Sequence, residues 1–186
     1  MKKSNFLKVS IFIFTLFIGQ TYFAQKTKMV GGAEMFPSKN IIENAVNSKD
    51  HTTLVAAVKA ADLVATLSGD GPFTVFAPVN KAFEMLPEGT VATLLKPENK
   101  KQLQTILTYH VVAGKVSAAD LIKMIKDNDE KVNIETVSGG TITAWMKDKK
   151  VYISDENGGK AVVTIADVNQ SNGVIHVIDS VLLPKS

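Results

Sequence analysis

Three histidines carry most of the chemistry this sequence offers. His176 sits inside the apolar run GVIHVIDSVLLP, with Asp179 and Ser180 just behind it. Those are the residue types of a base, an orienting acid and a nucleophile. Their spacing argues against that use. The run reads as a strand, where side chains alternate between faces. His176 and Asp179, three apart, point to opposite faces. Ser180 shares a face with His176 but lies about 13 Å along an extended chain. No Gly-x-Ser-x-Gly elbow occurs elsewhere.

His110 also sits in an apolar context, Tyr109-His110-Val111-Val112. Two imidazoles could meet around a metal, but such a site needs a third ligand and supporting contacts. No carboxylate pair stands at helical or strand spacing to either ring. Both are therefore expected to be structural, each hydrogen-bonded in a core; no catalytic residue, metal ligand or cofactor is expected. His51, beside a candidate helix cap, is expected at the surface. Asp155-Glu156-Asn157-Gly158-Gly159 opens like a calcium loop, but Gly159 and Ala166 occupy its fifth and twelfth positions, so no acid closes it. A hairpin turn is the expectation there. Asn169-Gln170-Ser171 is an N-glycosylation sequon that matters only in a host that reads it.

Composition removes further classes. There is no cysteine, hence no thiol nucleophile and no disulfide. All 21 basic residues are lysine, whereas bidentate recognition of phosphate or guanine favours arginine. The net charge of +3 has a local origin. Lys2, Lys3 and Lys8 precede an apolar run, Val9–Ile18, and a small residue, Ala24, in the pattern of an export signal. Without residues 1–24 the chain has 18 basic and 18 acidic residues, so no nucleic-acid partner is expected. The run is short of the about 20 residues of a membrane span. An uncleaved signal, or a docking partner, is the membrane attachment left open. The expected location is secreted, periplasmic or extracellular.

The elements that position these residues change type midway. Residues 25–37 lack periodicity and read as a flexible leader. Helical spacing then begins near Ser38, with Ile41, Ile42, Ala45 and Val46 on one side, and continues through Leu54, Ala57, Val58, Ala61 and Ala65. Phe73–Ala77 reads as a strand closed by Pro78, and Asn80 as the N-cap of KAFEML. Pro97 suits the first turn of a helix whose stripe is Leu103, Ile106, Leu107 and His110. Ser117 is expected to cap SAADLIKMIKD. Beyond Asp127 the period becomes two: 132–137, 141–146, 151–154, 161–168 and 174–178 alternate as strands, joined by hairpin turns. The lysines at 147, 149 and 150 surround one such turn and read as a solvated loop. Helices first and an antiparallel meander second make an α+β domain. Trp145 shares a strand face with Thr141 and Thr143. It is either an exposed contact residue or core beneath a covering helix.

Three stretches in order, FTVFAPVNKAF (73–83), ILTYHVVAGKV (106–116) and NGVIHVIDSVLLP (172–184), resemble the conserved blocks of the fasciclin (FAS1) domain family. The resemblance covers residues 38–184, leaving 185–186 as a tail. It implies a β-sandwich or wedge with helices along one side, and a non-enzymatic role in extracellular adhesion. By resemblance, the Tyr-His segment (Ile106, Leu107, Tyr109, His110, Val111, Val112) is the interaction site, with His110 largely structural. Asn80, His176 and Asp179 are structural positions. The sequence departs from the family at Val79, where threonine is common, and at Asn80, where aspartate is common.

Three functions follow as expectations. The first is a bacterial cell-surface or biofilm-matrix adhesion module whose partner is a protein or glycan, with weak self-association left open. It predicts an apolar or mixed surface patch near the Tyr-His segment. The second is a carrier holding a small apolar ligand, carotenoid- or lipid-like, in a groove between sheet and helices. The third is a hydrolase using His110 or His176.

Overall fold

The structure, a computed structural model, describes residues 26–185. The expected export signal at 1–24 lies outside them, as does Ser186 of the tail. Among the described residues no helix is long and apolar enough to cross a membrane.

Within the expected flexible leader, residues 28–35 are part of the fold. Strands β1 (Lys28–Val30) and β2 (Ala33–Met35) form a hairpin. Gly31 and Gly32 turn it, both at positive φ, the backbone that a two-residue hairpin turn requires. Val30 and Met35 are buried in the main core. The fold therefore begins ahead of the expected boundary at residue 38.

Helix α1 (Ile41–Ala45) starts at Asn40, whose side chain accepts from Glu43 N while Glu43 returns a bond to the Asn40 backbone. A 3₁₀ turn (Lys49–His51) leads into α2 (Thr52–Ala60), and α3 (Val64–Ser68) follows. Strand β3 (Phe73–Pro78), short α4 (Asn80–Glu84) and α5 (Thr90–Leu94) come next. Pro97 opens a 3₁₀ turn (Pro97–Asn99) rather than α6 itself, which runs Lys100–Tyr109. Strand β4 (Val111–Ala113) continues directly from α6. Ser117 caps α7 (Ala118–Asp127) with a reciprocal Ser117–Asp120 box.

Strands β5 (Lys131–Glu135), β6 (Thr141–Lys147), β7 (Lys150–Ser154), β8 (Lys160–Gln170) and β9 (Gly173–Ile178) form the antiparallel run. The full order is β4-β3-β9-β8-β7-β6-β5. The early strand β3 enters beside β9, in parallel, and the meander is completed by it. The eleven-residue β8 pairs with β7 through its first part and with β9 through its second, with register shifts between Val163 and Val168. Such shifts bend a strand, and here they fold the β5–β7 arm over the β3–β9 ribs into a wedge.

Alternation along β3 and β9 then feeds two cores. Val75, Ala77, Ile175 and Val177 face the helix side, with Val58, Leu67, Leu103 and Leu107. Phe76 and Ile178 face into the wedge, with Ile134, Ile142, Ala144, Ile153 and the α7 residues Leu121 and Ile125. The fold is α+β.

Candidate functional site

The Tyr-His segment is interior. Ile106, Leu107, Tyr109, His110, Val111 and Val112 are all buried. The reason is topological. This stretch passes from α6 to β4 between the two cores, so Leu107 and Val111 enter the helix-side core while Tyr109 and Val112 enter the wedge. The surface patch expected there is absent from these six residues, and the expectation that they are directly exposed as a contact site is corrected.

What they do instead is tie distant segments together. Tyr109 is fully buried; its hydroxyl donates to Thr141 O (2.7 Å) and accepts from Glu156 N (3.2 Å). Burial pushes the phenol pKa up to about 12. Its ring runs so close to Gly140 that a Cβ there would stand 2.8 Å from Tyr109 Cε2. In the Ser-Gly-Gly turn the first glycine, Gly139, supplies the positive φ, and the second, Gly140, the close approach.

His110 is held on both sides. Its Nδ1 lies 2.8 Å from Ile106 O, and Leu182 N donates to its Nε2 at 3.0 Å. A neutral imidazole has one donor and one acceptor nitrogen. An acceptor Nε2 assigns the proton to Nδ1, where it meets the Ile106 carbonyl. His176 uses the opposite tautomer. Asp167 N donates to Nδ1 (3.3 Å), and Nε2–H meets Val116 O (2.9 Å). Its ring also stacks on Phe76, with centroids 5.6 Å apart. In each ring the single lone pair and the single N–H are already committed to backbone. Neither imidazole has an atom left to take a proton from a nucleophile or to ligate a metal. Burial lowers both pKa values, His110 to about 4. Among the described residues no group of His, Cys, Asp or Glu is arranged to hold a metal ion.

Asp179 does not reach His176. Its carboxylate accepts from Val162 N (2.7 Å) and its own N–H donates to Val162 O, extending the β8–β9 ladder beyond its last strand residue. Ser180 Oγ bonds only to Asp179 (3.3 Å).

Asn80 differs from its expected role. The N-cap of α4 is Val79, without a side-chain bond. Asn80 instead caps α2 from across the fold: its Oδ1 accepts from Thr53 N (3.0 Å), and its Nδ2 donates to Lys49 O and Thr52 Oγ1. Aspartate could supply the first bond and accept from the Thr52 hydroxyl, but it could not donate to Lys49 O.

His51, expected at the surface, is buried at 4% exposure. The 3₁₀ turn swings it inward to Ser48 Oγ (2.9 Å from Nδ1), and burial lowers its pKa. It lines a small apolar cavity of about 50 Å³ under α1 and α2, with Val30, Met35, Ile41, Val58 and Leu67. Its Nε2 has no hydrogen-bond partner among the described residues. The local sequence gave no sign of this, because Asp50 and Thr52 on either side are polar.

Trp145 belongs to a different environment. Helix α7 covers the inner face of β5–β6, where Ile134 and Ile142 meet Leu121 and Ile125. Trp145 stands half-buried on the outer face. Its indole stacks on Tyr152 (centroids 4.5 Å, planes 17° apart), and Nε1 donates to Ser154 Oγ (2.8 Å). The Lys160 ammonium lies 5.5 Å from the indole centroid.

The fold is a wedge of two cores, with α1–α6 against one and α7 against the other, two of its three imidazoles bonded to backbone, and an aromatic pair half-exposed on the sheet. The chain belongs to the fasciclin domain family, whose model matches residues 49–184. The β1–β2 hairpin lies ahead of that match yet packs into the same core. Protein sll1483 of Synechocystis sp. is 49% identical over 160 residues, covering 86% of this chain and 82% of that one. Immunogenic protein MPB70 of Mycobacterium bovis is 35% identical over 145 residues, covering 75% and 66%. Among solved structures, a FAS1 domain pair from the insect cell adhesion molecule Fasciclin I matches with a TM-score of 0.69. It is 22% identical and covers 78% of this chain and 51% of that one, a likeness of fold.

Proposed function

We propose that this protein is a non-enzymatic adhesion and interaction module, exported to the periplasm, the cell surface or the surrounding matrix. The observation that carries this reading is the double commitment of His110 and His176 to backbone partners. It leaves those two rings with no free donor or acceptor, and the third, His51, is buried against an apolar cavity. The half-exposed Trp145–Tyr152 pair supplies contact area outside the core instead. The likeness in fold to a domain pair of a cell adhesion molecule supports the same reading.

The test is retention of the full chain on washed cells and matrix of its own host. The expected result is saturable retention that is lost when the outer-face residues are replaced. Absence of retention on every surface fraction, or turnover of a substrate that disappears on replacing His110 or His176 in a folded variant, would overturn it.

The cavity beside His51 favours a second reading, a carrier of a small apolar ligand. At about 50 Å³ it has room for a few waters' worth of volume. A carotenoid or a lipid chain would enter only if α1 and the β1–β2 hairpin moved aside. Protein purified from the native host should then be coloured or lipid-bearing. Colourless, lipid-free material would remove this reading.

A further inference from the structure

We propose that the outer face of β5–β8 binds anionic polysaccharide, with lysines meeting sugar carboxylates around an aromatic platform. This deepens the adhesion reading and rests on it.

The register places two cross-strand rows side by side on this face. One is Lys131, Trp145, Tyr152 and Val162; the other is Asn133, Thr143, Ser154 and Lys160. Lys147 and Lys150 pair beyond the first row, and Glu135 lies beyond the second. Four exposed lysines therefore share this face with Glu135, and Glu156 adjoins its far edge, where its carboxylate accepts from Thr141 N. Asp148 and Lys149 in the adjoining turn offset each other. Beyond the expected signal the chain has no net charge, so this excess of cations is a local feature and not the average surface.

The platform is fixed before a ligand arrives. Trp145 is held by the Tyr152 stack and the Ser154 bond, and Thr143 Oγ1 donates to Asn133 Oδ1 (2.9 Å). Rigid aromatics lower the ordering cost of binding. A sugar ring presents an apolar C–H surface to such a platform and hydroxyls to the Asn, Thr and Ser side chains. A carboxylate on that ring meets Lys131, or Lys160, whose ammonium lies over the indole (5.5 Å to its centroid) and would swing aside to admit the sugar.

The chemistry fits a nucleic acid less well. Any part of the Trp145–Tyr152 pair open to a sugar ring is open to a base as well, so the distinction rests on the cations. The face has no arginine for bidentate phosphate contacts. A repeating polymer suits one weak site on a FAS1 domain, because many equivalent carboxylates raise the effective concentration.

Trp145 is the only tryptophan, so its fluorescence reports directly on this face. The experiment titrates the full chain with alginate, a uronic-acid polymer, with neutral dextran and with a single-stranded oligothymidylate. Three variants are compared: Lys131→Glu/Lys150→Glu/Lys160→Glu, the helix-side control Lys81→Glu/Lys96→Glu/Lys101→Glu, and Trp145→Ala. Variant binding is read by affinity electrophoresis and folding by circular dichroism.

Alginate should change the tryptophan emission and dextran should not. The first triple variant should lose at least about tenfold in affinity, and the control less than about twofold. Trp145→Ala should lose a few-fold, the size of a modest aromatic contribution. Added salt should weaken the complex. If Trp145→Ala fails to fold, the two lysine triples decide alone. No alginate binding, equal binding by both triples, or tighter binding of the oligonucleotide would overturn the proposal. Retention on host surfaces that persists despite no alginate binding would sink this inference and leave the adhesion reading standing; loss of both would sink both.

Discussion

Tyr109 and Trp145 are both aromatic residues with a polar group hydrogen-bonded to protein, yet their partners lie at different distances along the chain. The Tyr109 hydroxyl joins residues 32 and 47 positions away, and it is fully buried. Beside it, His110 reaches Leu182, 72 positions on. Trp145 reaches Ser154 and Tyr152 on the neighbouring strand and Lys160 on the next, all within its own sheet. The first region holds the wedge closed. The second is a finished surface on an arm that is already held. Substitution in the first should therefore register as instability, and in the second as lost contact.

The largest effect is expected at His110. Replacement by alanine leaves a void and strips Leu182 N and Ile106 O of their partners. Each orphaned buried group costs about 1–3 kcal/mol, so chemical denaturation should show a loss of about 3 kcal/mol or more. A loss below 1 kcal/mol would contradict the comparison.

Acid should reach the same region without mutation. His110, His176 and His51 all have lowered pKa values when folded. The unfolded chain therefore binds protons that the native rings refuse. The stability these rings contribute is fully present above about pH 6.5 and is lost as the pH falls toward 4. From its pKa of about 4, His110 alone accounts for roughly 3 kcal/mol of that loss. Denaturant midpoints measured from pH 7 to pH 4 should fall accordingly, and less steeply in His110→Leu.

Tyr109→Phe keeps the ring and removes the hydroxyl, leaving Thr141 O and Glu156 N without it. A cost of about 1–2 kcal/mol is expected. Tyr109→Phe also tests whether retention on host surfaces follows stability alone. At the small end, Trp145→Ala should change stability by about 1 kcal/mol or less, since its ring is half in water, while weakening surface retention a few-fold. The reverse pattern, unstable but still adherent, would exchange the roles of the two regions.

The sequence made legible those elements whose signals are local. Ser117 three residues before Asp120 is a capping pair written in the chain. The alternation through 141–146 separates Trp145 from Ile142 and Ala144 by geometry alone. Other features depended on partners that spacing does not reveal. Residues 28–35 are two three-residue strands, too short for a period; only the Gly31-Gly32 pair marks the hairpin, and its anchors Val30 and Met35 gain their meaning from helices far along the chain. Asn80 is a capping residue by type, but the helix it caps is α2, not its own. The Tyr-His segment reads as a helix's apolar stripe continuing into residues 109–112. The sequence could not show that the stripe crosses between two cores, because that follows from β3 inserting beside β9.

The central claim is that both wedge imidazoles are neutral scaffold, and nitrogen-15 NMR of the histidine rings across pH 8 to 3.5 tests it most directly. The account predicts a proton on Nδ1 of His110 and on Nε2 of His176, with His110 titrating near 4 and neither ring responding to added zinc. A ring that titrates near 6.5, or whose resonances shift on zinc addition, would contradict it.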